Sequence, residues 1–424
     1  MDIYNHFRQL VKKKGTGKTM SKHLSADDID FVFTHLKSPD IPLAMRATLL
    51  TAWIMLDPTP DEARGLRQLS AGLEDHVPND LHFLFNDTPT HFIDTQIQQL
   101  IQHNALTRSA LTDCLDMVCQ QSIPDYKCAA LFESLRLKEE TFEENCAVYD
   151  VFRQQSKSLH IEAPLLIDMA TAYDGFNRHY FLQPFVAALL SSIGIPCLLH
   201  GVHEVSPKNG MNTHKILLRA NKNPLKSLAS VANDLMNPSI GWGYVDQSVY
   251  CPPLHDLIPM RLAMVKRPVL ATIEKWLQPI SATQTICLTG FTHPPYKQKT
   301  IDLVHYGGLY SKLILVRGVE GSTLLPDDRR TPWIVSDQQN EPTVGFMAPN
   351  ALDMTVDHLG EQAPDDSVIA GMNALSGKDH MLANFLCYQC LAIGHAIGRN
   401  TTVMKMQLNA AISSGQALAH WETY

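Results

Sequence analysis

From residue 24 to residue 148 apolar side chains recur at helical spacing, and the punctuation between the helical stretches repeats. Shifting the chain by 82 positions lays 24–66 over 106–148, matching Leu24 with Leu106, Ile41-Pro42 with Ile123-Pro124, Ala47 with Ala129 and Leu49 with Leu131. Each copy opens on a hydroxyl that can cap a helix, Ser25 or Thr107. Each breaks near its proline and starts a third helix with a Thr-x-x-Glu capping box, Thr59 to Glu62 and Thr141 to Glu144. The pattern predicts a duplicated three-helix module, with 78–90 as part of the connection. Two copies are too few for a solenoid.

After residue 160 the texture changes. Short apolar runs at 165–168, 195–199, 285–289 and 313–317 alternate with helical patterns, the grammar of a helix-covered sheet. The longest uncharged run, 181–199, approaches the length of a bilayer span, but Gln183, Pro184, Ser191-Ser192, Gly194 and Pro196 interrupt it. It divides into a helix with Pro184 in its first turn and a strand at 195–199. Helical spacing returns at 379–397 and 404–419, the latter interrupted at 413–415, while 320–331 and 336–349 are the least regular stretches. The predicted organisation is a first helical copy in 1–90, a second in 91–160, and an α/β domain with closing helices in 161–424.

Composition narrows the function. With 45% apolar residues the chain can build cores, which excludes bulk disorder, and with 18% charged residues and a net charge of −8 it has no global basic field for a polyanion or an anionic membrane. The first twenty-two residues depart from this: Arg8, Lys12, Lys13, Lys14, Lys18 and Lys22 face only Asp2. Lys12, Lys13, Lys14 and Lys18 are the candidate nucleic-acid contacts, and binding there is expected to be weak and blind to sequence. Nine irregularly spaced cysteines and no secretory leader point to reduced thiols in a cytoplasmic protein. Cys387 and Cys390 have redox spacing, yet lie in a helical apolar pattern and read as helix core. Gly15-Thr16-Gly17-Lys18-Thr19 mimics the end of a phosphate-binding loop, but Lys12 stands where a glycine is required and no apolar strand precedes it.

Several segments carry a resemblance to the anthranilate phosphoribosyltransferases of glycosyl transferase family 3. Both helical copies resemble that family's helical domain, the second more closely. Tyr173-Asp174-Gly175 through His200-Gly201, Lys266-Arg267-Pro268 with Gln278-Pro279 downstream, and Arg317-Gly318-Val319-Glu320-Gly321 resemble blocks of its α/β domain. The tail from Asp379 through Ser414-Gly415-Gln416-Ala417 is similar to its closing helices. A tyrosine before Asp-Gly and a Glu-Gly-Ser phrase are closer to the family's non-biosynthetic bacterial relatives. The resemblance implies an α/β fold with a nucleoside-phosphorylase/phosphoribosyltransferase-type central sheet flanked by helices, behind a duplicated all-helical module, and a homodimer.

The family's chemistry maps unevenly onto this chain. Its Gly-Thr-Gly-Gly-Asp-Gly diphosphate loop corresponds to Ala170-Thr171-Ala172-Tyr173-Asp174-Gly175, so bare backbone is lost where a diphosphate would sit. Its Asn-Ile-Ser-Thr element falls on Phe181-Leu182-Gln183-Pro184, its lysine before His-Gly on Leu199, and its magnesium-binding Asp-Glu pair on Thr323-Leu324. No metal site and no cofactor are therefore expected, and Mg²⁺ binding would mean that the motifs are misaligned. Catalytic residues stay unassigned. Asp174, Gly175, Arg178, His200, Gly201, Lys208, Arg267, Arg317, Glu320 and Arg329 are the candidates for an anionic ligand, a phosphorylated sugar or nucleotide, because arginine forks and lysines bind such groups without a metal. Arg261, Lys266, Arg330, Asp327 and Asp328 accompany them. His200 and His214 read either as acid–base groups or as hydrogen-bonded core residues. The expected function is a pentosyl or phosphoribosyl transferase-like protein with degenerate diphosphate and magnesium motifs, distinct from the tryptophan-pathway enzyme. The alternative is a catalytically inactive homologue that binds nucleic acid or a protein partner.

Overall fold

The helices of the repeat keep its 82-residue offset. In the computed structural model, which describes residues 2–16, 20–337 and 340–424, the chain begins with α1 (Ile3–Lys14), α2 (Ala26–His35), α3 (Leu43–Met55) and α4 (Pro60–Ala71). There follow α5 (Phe92–Ile101), α6 (Arg108–Cys119), α7 (Asp125–Lys138) and α8 (Phe142–Gln154). Helices α2, α3 and α4 start 82 residues before α6, α7 and α8. The caps agree, since Ser25 accepts from the Asp28 N–H and Thr107 from the Ala110 N–H.

Each copy buries a glutamate at the matching position and satisfies it in the same way. Glu62 accepts the N–H of Leu24 at 2.8 Å and of Thr59 at 2.9 Å, with Lys14 Nζ at 2.8 Å. Glu144 accepts the N–H of Leu106 at 3.0 Å and of Thr141 at 2.7 Å, with Lys138 Nζ at 2.7 Å. Burial alone would raise the Glu62 carboxyl pKa, but the lysine, the amides and His23 outweigh it and hold it below the usual range. Helices α3 and α7 are buried over most of their residues and pack on each other, which places them at the centre of one bundle.

Domain boundaries therefore differ from those expected. Both copies lie in a single helical unit, 1–154, which also takes in 205–207 and 256–273, leaving 155–204, 208–255 and 274–424 to the second unit. A three-helix module has too little interior to stand alone, so the copies share a core.

The second unit is built on a seven-stranded sheet. Its strands are β1 (Leu166–Ala170), β2 (Cys197–Gly201), β3 (Trp242–Asp246), β4 (Thr285–Gly290), β5 (Lys312–Val316), β6 (Thr331–Ser336) and β7 (Thr343–Met347). They lie in the order β3-β2-β1-β4-β5-β6-β7, parallel from β3 to β5, with β6 and β7 antiparallel at one edge. β1, β2, β4 and β5 are the strands expected from apolar runs, β2 beginning two residues later. β3, β6 and β7 were not expected. β3 carries Gly243 inside an aromatic run with no alternation, and β7 lies in the stretch that looked least regular.

Helices cover the sheet as the pattern predicts. Pro184 opens α9 (Gln183–Ser191), whose Phe185 and Leu189 join Trp242, Leu386 and Trp421 in the main core. The long α10 (His380–Ala396) buries both Cys387 and Cys390, and burial pushes the Cys387 thiol pKa up to about 12, so the pair is core. Among the described residues no helix is long and apolar enough to cross a membrane.

Candidate functional site

From β1 the chain proceeds to β2 on one side and later to β4 on the other, so the topological switch point, where folds of this kind bind ligands, lies at the carboxyl ends of the parallel strands. The loops after β1 and β5 and the segment 208–212 gather there. Gly175 shapes the first: its φ of +75° is open to glycine, and a Cβ would stand 2.3 Å from the Met211 carbonyl oxygen. That close approach lets Phe176 and Met211 exchange two backbone hydrogen bonds of 2.8 Å.

Under the loop lies a closed polar network. Tyr173, only 2% exposed, brings its hydroxyl to His200 Nδ1, to the Tyr250 hydroxyl at 2.7 Å and to the Glu274 carbonyl at 3.0 Å. His200 Nε2 lies 2.9 Å from Asp168 Oδ1, and the Tyr310 hydroxyl donates to Asp168 Oδ2 at 2.8 Å. Burial, then the neighbouring Tyr250 and Glu274, raises the Tyr173 phenol well above its ordinary value, so it stays protonated. His200 was read as either an acid–base group or a core residue. Both of its ring nitrogens are engaged inside the fold, the geometry of a hydrogen-bonded core residue. Gly201 is likewise a buried strand end.

Above the loop a carboxylate sits in a cradle of donors. Glu320, whose side chain is 2% exposed, accepts the N–H of Arg178 at 3.0 Å and of Asn177 at 3.3 Å, and meets His179 Nδ1 at 3.1 Å. Lys208 Nζ donates to its carboxylate at 2.9 Å, to the Glu320 carbonyl at 3.2 Å and to the Gly175 carbonyl at 3.1 Å. Burial would raise the Glu320 pKa, but Lys208, His179 and the Arg178 N–H overcome it and bring it to about 2. The backbone at Glu320 is left-handed, φ 50° and ψ 22°, a conformation that a non-glycine residue holds at some cost. Gly318 makes the turn feasible, since a Cβ there would lie 2.0 Å from the Ser322 carbonyl oxygen.

The remaining candidates scatter. Asp174 is buried, its carbonyl accepting the Gly210 N–H at 2.8 Å. Arg178 enters the cradle by its backbone, while its guanidinium is exposed 3.8 Å from Glu361. Arg317 is exposed, Arg329 pairs with its neighbour Asp328, and Arg330 lies over the Phe346 ring. Arg267 belongs to the helical unit and is exposed there, beside buried Lys266, whose pKa burial lowers to about 8. Sequence reasoning missed Asn177 and His179 as donors and Tyr173 as a hydrogen-bonding hub. His214 Nδ1 meets Asp246 Oδ2 at 2.7 Å, and Tyr244 and Ser248 also donate to that buried carboxylate.

The basic N-terminal candidates need correction. Lys14 is buried against Glu62 and Lys13 pairs with Asp28, so neither offers a free charge to a polyanion. Lys12 is exposed, and Lys18 lies outside the described residues. The phosphate-loop mimic begins at Gly15, the C-cap of α1, where helix carbonyls disfavour an anion.

A magnesium site of the kind the resemblance implies does not fit these residues. At the positions onto which the resemblance lays the Asp-Glu pair stand buried Thr323, whose Oγ1 has no hydrogen-bond partner, and buried Leu324. A neutral hydroxyl and an alkyl group are a poor donor set for Mg²⁺. Among the described residues no cluster of three or more His, Cys, Asp or Glu is arranged to hold a metal.

Comparison with known proteins agrees with this architecture. Residues 95–156 match the helical bundle domain of the glycosyl transferase family. An uncharacterized protein of Aquifex aeolicus is 25% identical over 295 residues, covering 66% of this chain and 88% of its own length. The anthranilate phosphoribosyltransferase of Polynucleobacter asymbioticus is 26% identical over 228 residues, 53% of this chain and 61% of that enzyme. Among solved structures, the Saccharomyces cerevisiae anthranilate phosphoribosyltransferase in complex with PRPP and Mg superposes with a TM-score of 0.60 at 14% identity, covering 78% of this chain and 96% of that one. At that identity the likeness is one of fold.

Proposed function

We propose that this anthranilate phosphoribosyltransferase-like chain is a non-biosynthetic relative that keeps the pentosyl transferase fold and a site for a small phosphorylated ligand, and does not perform the magnesium-dependent transfer of the tryptophan pathway. The observation that carries this is Tyr173. A side chain stands where the resemblance puts one of the bare glycines that let a diphosphate close on N–H groups, and three polar partners hold its hydroxyl beneath the loop. The yeast neighbour was solved with PRPP and Mg. In this chain Thr323 and Leu324 supply no carboxylate to offset a diphosphate's charge through a metal. The donors that remain are Lys208, the cradle amides and exposed arginines, which suit one phosphate better than a metal-bridged diphosphate.

Thermal-shift titration of the full chain with phosphoribosyl diphosphate, with and without Mg²⁺, together with an assay for anthranilate conversion, tests this. No magnesium-dependent stabilisation and no conversion are expected. Strictly magnesium-dependent stabilisation with turnover would overturn the reading.

A further inference from the structure

At the loops after β1 and β5 the Glu320 cradle is a built anion site, and the anion in it belongs to the chain. Two consecutive amides, Asn177 and Arg178, point at one carboxylate together with the ring nitrogen of His179 and the ammonium of Lys208. Consecutive backbone N–H groups beside a lysine form the concave arrangement that recognises oxyanions generally. The carboxylate reaches it from a separate strand end, on a turn whose backbone is left-handed at Glu320 itself. Folding could have satisfied these donors with water at these loops. A side chain that is 2% exposed on a backbone conformation of this kind is instead delivered into them.

We propose that Glu320 is an internal stand-in for an external oxyanion: the cradle of Asn177, Arg178, His179 and Lys208 binds a phosphate group, free or on a sugar, and the 317–323 turn carries Glu320 in and out. Charge argues for this exchange. A carboxylate and a phosphate compete for the same donors, and a phosphate entering beside Glu320 would meet a like charge in a buried site, so the two states exclude each other. The turn leaves β5 and leads on to β6 with 321–325 buried, so a change confined to the backbone angles of 317–320 would move the side chain without moving the sheet. This deepens the functional reading above, on which it rests for placing the ligand at these loops.

The test uses the full chain in chloride buffer, with inorganic phosphate and ribose 5-phosphate as separate probes and chloride at matched ionic strength as control. Glu320→Gly suits the left-handed backbone and empties the cradle, while Glu320→Gln keeps its shape and removes the charge. Both variants are expected to melt lower than wild type and to regain about 4 °C or more, saturably, with phosphate, while wild type moves by about 1 °C or less. Adding Lys208→Met to Glu320→Gly is expected to weaken that response about tenfold or more. Ribose 5-phosphate acting at about tenfold lower concentration than phosphate would identify a sugar phosphate as the occupant, and equal potency the free oxyanion. If Glu320→Gly does not fold, Glu320→Gln decides alone. Variants no more responsive than wild type to either probe overturn the proposal while leaving the lost magnesium chemistry intact, whereas magnesium-dependent turnover by wild type would overturn that reading instead.

Discussion

Replacing Glu320 with glutamine should cost stability in a way that depends on pH. Its pKa is lowered from the ordinary 4.5 to about 2, and at about 1.4 kcal/mol per unit the bound carboxylate contributes about 3 kcal/mol when ionised. Because the folded pKa is the lower one, this stability is fully present above the unfolded pKa and is lost as pH falls from about 5 towards 2, with about half gone by pH 3. Glutamine cannot ionise, and its amide oxygen replaces only one or two neutral hydrogen bonds, so the variant should lie about 2–3 kcal/mol below wild type at pH 7. Urea unfolding followed by tryptophan fluorescence in phosphate-free buffer reads this. Of the five tryptophans, Trp242, Trp276, Trp333 and Trp421 lie in the sheet unit, so the signal reports mainly on the unit that contains Glu320. Other paired carboxylates titrate in both proteins and cancel in the difference. A gap between wild type and variant that stays constant from pH 7 to pH 3, or is below about 0.5 kcal/mol at pH 7, would refute the assignment of the low pKa to this cradle.

Tyr173→Phe should lower stability by about 1–3 kcal/mol, because it strands polar partners in a site that water does not reach, and the same fluorescence-detected unfolding measures it. Glu62→Gln and Glu144→Gln should each cost about 3 kcal/mol or more and by similar amounts, since each glutamate satisfies a buried lysine and two amides; circular dichroism during urea unfolding compares them, and a harmless change at either site would show that the two networks are not equivalent. If nucleic acid binds at the N-terminus, Lys12→Ala should reduce the log–log salt slope of the complex by about 1, whereas Lys14→Met should unfold the module rather than change the slope. Light scattering is expected to give twice the chain mass, and a monomer at all concentrations would refute the homodimer that the resemblance implies.

Local pattern made much of the molecule legible in advance. The 82-residue offset located six helices, because helix starts depend on caps and prolines that act within one turn, and Ser25, Thr59, Thr107 and Thr141 are such signals. Buried strands β1, β2, β4 and β5 showed as apolar runs for a similarly local reason. That 170–174 holds no glycine was also readable, because it is a property of single residues. β3, β6 and β7 gave no such signal, since what makes them strands is pairing with partners distant in sequence. The same limit applied to charge. From sequence, Lys14 was a candidate nucleic-acid contact, and Lys208 and Glu320 were candidates at an anionic-ligand site. Tertiary structure decided that Lys14 is buried on Glu62, that Arg178 offers Glu320 its backbone N–H rather than its guanidinium, and that Lys208 closes on Glu320 across 112 residues. A charge takes its function from which opposite charge the fold places within about 4 Å and how much water it excludes there, and neither quantity is local to the chain.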